Sequence, residues 1–136
     1  MTTPLLALLA FAGWALLIVL GVVTYRTLQV LMGKKPAHGF KSGVEHGPDL
    51  YWRANRAHVN ALENLVPFAV VVLVGHAIGH TEPLFSQLAV AVVVLRVLQT
   101  SVHIALHTHW SVVARAAFYI GQIGCFIAMG VTLLLA

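Results

Sequence analysis

Arg53, Arg56, Asn60, Glu63, Asn64 and Pro67 follow one another at intervals of three, four, three, one and three residues. At roughly 100° per residue on a helix they fall within an arc of about 100°. Arg96, Gln99, Thr100, His103 and His107 share a comparable arc, as do Arg115, Tyr119 and Gln122. Guanidinium groups arranged this way bind carboxylates through paired N–H donors. A carboxylate and two amides beside them complement an ammonium or peptide groups. The chemistry on offer is recognition of a small, polar, multiply anionic ligand.

The segments that carry these stripes are otherwise apolar. Of 136 residues, 60% are hydrophobic and 9% charged, and the mean hydropathy is +0.90. An ordinary soluble domain is closer to a quarter charged. Eight Lys and Arg plus four Asp and Glu cannot cover a 14.7 kDa water-soluble fold. A helix needs roughly 20 apolar residues to cross the bilayer core. Four such runs cover about residues 5–31, 51–78, 84–106 and 111–135. The expected fold is all-α, an integral membrane four-helix bundle forming a single domain over residues 1–136. Gly33 to Leu50 reads as a polar loop, His80-Thr81-Glu82-Pro83 as a tight turn and His107-Thr108-His109 as a short connection. No room remains for a soluble catalytic domain. The single cysteine, Cys125, excludes an internal disulfide and a Cys-based zinc site. Scattered basic residues on apolar runs argue against nucleic-acid binding. Only Met1-Thr2-Thr3-Pro4 precede the first run, which reads as a retained span and not a signal peptide.

Cationic residues set the expected orientation. Lys34, Lys35, Lys41, Arg53 and Arg56 lie in or beside the first loop and Arg115 follows the third, whereas the second carries only Glu82. Loops one and three should face the cytoplasm, with both termini on the other side. With about 1.5 Å of rise per residue, Glu63 lies roughly 18 Å along the second span and Arg96 about 15 Å from the end of the third. All the stripes then occupy the cytoplasmic half of the bilayer. An arginine at the centre of a membrane helix costs about 2.5–3.5 kcal/mol, and Glu63 is the expected partner of Arg96. A purely structural role, through snorkelling and inter-helix hydrogen bonds, suits Arg53 taken alone. It does not suit the set. Arg26, Arg53, Arg56, Arg96 and Arg115 face only Glu63 within the spans, and surplus positive charge in low dielectric calls for an anion.

A tripeptide such as glutathione, with two carboxylates, one ammonium and a thiol, matches this inventory. A nucleotide or a phospholipid head group would satisfy the same charges, although no Gly-rich phosphate loop is present. Two histidine pairs at i, i+4, His76 with His80 and His103 with His107, raise a metal reading. They sit at opposite membrane faces and supply too few ligands, so no metal site is expected. Ala117, Gly121 and Cys125 form a small-residue ridge suited to helix packing. Trp14, Trp52 and Trp110 read as core or interfacial anchors.

The segment Arg53-Ala54-Asn55-Arg56-Ala57-His58-Val59-Asn60-Ala61-Leu62-Glu63-Asn64-Leu65-Val66-Pro67-Phe68 resembles the signature of the membrane-associated proteins in eicosanoid and glutathione metabolism, the MAPEG family, and its bacterial, microsomal glutathione transferase-like branch. Arg96, and Arg115 with Tyr119 four residues later, also resemble family positions. The resemblance implies a homotrimer in which glutathione binds between neighbouring subunits, open to the cytoplasmic side. It implies ligand-binding roles for Arg56, Asn60 and Glu63, and catalytic roles for Arg115 and Tyr119, with Arg115 activating the thiol. Arg26 is a looser match, and Arg53, Arg96 and His103 join the cofactor-binding set. His103 stands where some members have tyrosine, Val59 where several have arginine, and Ala116 where one branch has serine. The implied reaction is attack of the thiolate on a lipophilic electrophile or a lipid hydroperoxide arriving from the bilayer. A glutathione-dependent isomerase and a non-enzymatic lipid-binding adaptor are the alternatives. Retention of Arg56, Glu63, Arg115 and Tyr119 favours an enzyme.

Overall fold

The computed structural model describes Met1–Ala136. Its four long helices are α1 (Thr3–Leu31), α2 (Asp49–Ala77), α3 (Pro83–Ala105) and α4 (His109–Leu134), with one 3-10 turn at Ala37–Gly39 in the first loop. Each long helix is apolar enough to cross a membrane, and the chain is a multi-pass membrane protein. The boundaries fall within two residues of those read from the apolar runs.

Local chemistry explains where the helices begin and end. Proline occupies the first positions of α1 and α3, where its missing N–H leaves no bond unmade. α2 is closed off by Gly79, two residues past its end, whose φ of +70° lets the His80 N–H reach back to the Gly75 carbonyl at 2.9 Å. α4 starts with a reciprocal cap. The Ser111 amide donates to Thr108 Oγ1 at 3.2 Å, and the Thr108 amide donates to Ser111 Oγ at 3.0 Å. Pro67 lies inside an unbroken α2 and leaves the Glu63 carbonyl without its helical donor.

The core runs along the bundle axis. Phe68 of α2 lies between Phe11 of α1 and Phe126 of α4, with ring centroids 5.6 Å and 5.9 Å away. Small residues, among them Ala7, Ala15, Ala61 and Ala89, let the backbones approach around these rings. Gly75 marks the tightest approach, since a Cβ there would sit 2.7 Å from Phe85 Cζ. Outside the core, leucines of α1 such as Leu6, Leu9, Leu16, Leu17 and Leu20 are exposed, as suits a surface solvated by lipid. α1 packs on α2 and α3, and α4 packs chiefly on α3. The α2–α4 seam is therefore loosely closed.

The polar arc of α2 straddles that seam. Asn64 at one edge of the arc is buried, Arg53 and Asn60 are half-buried, and Arg56, Pro67 and Glu63 toward the other edge are exposed. Burial thus falls steadily around the arc. One consequence corrects the expected pairing: Glu63 points outward while Arg96 points into the bundle at 1% exposure, and no Glu63–Arg96 ion pair forms.

Candidate functional site

Two adjoining hollows open where the first loop and the α3–α4 link come together. The outer one, about 430 Å³, is lined by Trp52, Arg53 and Arg56 of α2, His103 of α3 and Arg115 of α4, with Glu45 and Asp49 at its rim. The inner one, about 290 Å³, is lined by Arg56, Asn60, Gln99, His103, Arg115 and Tyr119. Arg56, His103 and Arg115 border both, so the two form one cleft along the α2–α4 seam. A further hollow of about 290 Å³ lies between the first loop and α2, against Arg26, Phe40, Ser42, Trp52, Asn55 and Arg56. Arg56 stands between the cleft and this hollow.

Arg115 owes its place to the start of α4. Ser111 is buried and also donates from Oγ to the Thr108 carbonyl at 2.7 Å. The cap fixes the first turn, and Arg115 follows one turn after Ser111. Tyr119 lies four residues further on the same face. On α2, the histidine of the signature segment braces the bundle. His58 Nδ1 donates to the Ala15 carbonyl at 3.1 Å and ties α1 to α2.

The charges in the cleft are unevenly matched. Arg53 Nη2 is 3.2 Å from Asp49 Oδ2, one turn earlier on α2. Arg26, Arg56, Arg96 and Arg115 have no carboxylate within 4 Å, since the other ion pair in the chain joins His80 to Glu82 at the far end of the bundle. Arg56 and Arg115 therefore face the cleft with no carboxylate within 4 Å, Glu45 and Asp49 at the rim lying farther off. That arrangement can hold a carboxylate, and it can stabilise a thiolate placed near Arg115.

The residues expected at the site divide into three groups. Arg53, Arg56, Asn60, His103, Arg115 and Tyr119 line the cleft. Arg26 lies at the neighbouring hollow, where its Nε donates to the Tyr51 hydroxyl at 2.7 Å and its Nη2 to Asn55 Oδ1 at 3.2 Å. Glu63 and Arg96 line none of these spaces. Arg96 is enclosed, donating from Nη1 to Asn60 Oδ1 at 2.8 Å, with its Cζ 5.3 Å from the centre of the Phe11 ring. It meets the cleft through Asn60 and not directly.

Gln99, Trp52, Asn55 and Tyr51 also stand at or around this site, although the sequence alone assigns none of them a place there. Gln99 belongs to the α3 stripe, but the stripe alone gives it no place at the site; it lines the cleft and accepts from Gln122 Nε2 at 3.0 Å. Trp52 and Asn55, which flank Arg53 and Arg56 in sequence, also reach these spaces. Tyr51 grips Arg26, and only the path of the loop reveals that contact. No three His, Cys, Asp or Glu side chains converge on a point that could hold a metal ion.

The sequence profile of the MAPEG family matches residues 4–135, which takes in all four helices but for Thr3, and every cleft residue. The chain belongs to the MAPEG family. No curated protein and no solved structure gives a match. Within the MAPEG match lie both the signature segment on α2 and the Arg115–Tyr119 pair on α4, and the fold brings Arg56, Asn60, Arg115 and Tyr119 to one cleft.

Proposed function

We propose that the protein is a membrane glutathione transferase that holds glutathione as its thiolate for attack on a lipophilic electrophile. The observation that carries this reading is the convergence of Arg56, Asn60, Arg115 and Tyr119 on one cleft in which neither arginine has an acidic partner. Membership of a family of generally glutathione-dependent membrane enzymes supports it.

In this reading Arg56 and Asn60 bind the polar ends of the tripeptide, with Arg53 and His103 along the outer wall. Arg115 lies beside the sulfur. A free thiol has a pKa of about 8.5, and an adjacent cation lowers it. The thiol proton passes to water, and the thiolate electron pair forms a bond to the electrophilic carbon of the second substrate. The leaving group of that substrate departs with its bonding pair. Tyr119 supplies a hydroxyl next to the same point. Ala116, which also borders the cleft, contributes no hydrogen bond to the sulfur, so the cation carries the activation.

Assembly as a homotrimer completes the reading. Arg56, two turns into α2, and Glu63, deeper in the span, are exposed on one edge of that helix. Charged groups facing lipid are costly, and the α2 edge of a neighbouring copy, with glutathione between, would cover both. The cleft opens toward the end that bears Lys34, Lys35 and Lys41, which the positive-inside rule assigns to the cytoplasm. Both termini then lie on the opposite side.

Calorimetry in detergent tests the binding claim. Wild type is expected to bind glutathione, and Glu63→Gln and Arg115→Ala to bind it more weakly. A wild type that binds none defeats the proposal.

A further inference from the structure

Arg26 is held by a directed chain of hydrogen bonds that begins in the first loop. His46 Nδ1 lies 2.6 Å from the Val44 carbonyl. A carbonyl only accepts, so this nitrogen carries a proton, and when the ring is neutral Nε2 keeps its lone pair. That lone pair faces the Tyr51 hydroxyl at 3.2 Å. Tyr51 therefore donates to His46 and accepts from Arg26 Nε at 2.7 Å. Arg26 Nη2 goes to Asn55 at 3.2 Å. The rings of Phe40 and Tyr51 each lie 5.7 Å from the guanidinium carbon.

The backbone is built for this arrangement. Gly47 has a φ of +76°, and a Cβ there would lie 3.0 Å from Tyr51 Cδ1. Only glycine lets the loop turn this closely against the ring. The result fixes one end of a long, otherwise mobile side chain. Arg26 Nη1 takes no part in these bonds, and the guanidinium borders the hollow that Arg56 also lines.

We propose that Tyr51 is a positioning residue, with its hydroxyl aimed by His46, and that it presents Arg26 beside Arg56 to a carboxylate of the bound tripeptide. The inference rests on the glutathione reading above. Holding the guanidinium in place before binding removes the cost of ordering it at the moment of binding.

Steady-state kinetics on the purified protein provide the test, with glutathione varied at a saturating concentration of a lipophilic electrophile such as a chlorodinitrobenzene. Tyr51→Phe is expected to raise KM for glutathione about tenfold, with kcat within about twofold, as for loss of one hydrogen bond to a charged group. In an Arg26→Met background the same substitution should change nothing, because the two residues act as one unit. His46→Gln, whose amide oxygen can accept from Tyr51, should hold KM nearer the wild-type value than His46→Leu does. Equal effects of Tyr51→Phe in both backgrounds, or a fall in kcat at unchanged KM, overturn the positioning role. A wild type that does not bind glutathione defeats the functional reading and this one with it. Wild-type binding with an unaltered Tyr51→Phe defeats this one alone.

Discussion

Arg96 of α3 donates from Nη1 to Asn60 Oδ1 of α2 at 2.8 Å, and this bond is a polar link between the enclosed interior and the cleft. Arg96 is 1% exposed, and its Nε and Nη2 have no hydrogen-bond partner. The Phe11 ring contributes a cation–π contact. Burial of a cation with no carboxylate beside it opposes folding, whereas under the glutathione reading its bond to Asn60 orients a ligand-binding amide.

Stability and affinity should therefore separate at this position. Arg96→Met removes the buried charge while keeping much of the volume. Its melting temperature is expected to equal or exceed that of wild type, with glutathione bound about fivefold more weakly because Asn60 loses its only charged donor. Paired thermal-melt and calorimetric measurements check this. Unchanged affinity would mean that Asn60 holds its position without Arg96.

The Gln99–Gln122 pair predicts a non-additive result. Gln122 is fully buried, and its amide joins Gln99 at 3.0 Å. Gln122→Leu alone leaves the Gln99 oxygen without this donor and should destabilise the fold by about 1–3 kcal/mol. The Gln99→Leu, Gln122→Leu double variant should recover most of that loss. A double-mutant cycle by denaturation in detergent measures the coupling.

Gly75 predicts a steric effect remote from the cleft. Phe85 is 1% exposed and its Cζ lies 2.7 Å from where a Cβ would stand. Gly75→Ala is expected to destabilise by about 1–3 kcal/mol. The thermal midpoint should drop while KM for glutathione stays near wild type in the folded fraction.

The cap of α4 is expected to link stability to activity. Thr108→Ala removes the acceptor for the Ser111 amide and should cost about 0.5–2 kcal/mol. Because Arg115 follows in the second turn of the same helix, kcat should fall as well. Thr108→Ser, which keeps the hydroxyl, should restore both.

Much of this architecture is legible in the sequence because the physics behind it is local. Apolar runs of membrane-spanning length have to be helices, and Pro4, Pro83 and Gly79 punctuate them where their backbone chemistry requires. The polar arcs also have physical meaning, but an arc gives an angle and not a neighbour. The α2 arc straddles the edge of the bundle, so Asn60 and Asn64 turn inward while Glu63 turns out. That is why similar depth does not make Glu63 and Arg96 a pair. Asp49, which reads as part of the loop, begins α2 and takes Arg53 as partner one turn later. The His46–Tyr51–Arg26 chain has no signature, since it depends on a loop path set by Gly47 and the aromatic rings around it.

The most direct test of thiolate stabilisation by Arg115 is the ultraviolet thiolate absorbance of glutathione bound near neutral pH, in wild type and in Arg115→Leu. Wild type is expected to show a thiolate band on addition of glutathione. Arg115→Leu should show none at ligand concentrations where calorimetry reports comparable occupancy. A thiolate band of equal size in Arg115→Leu, or no band in a wild type saturated with glutathione, would contradict the assignment.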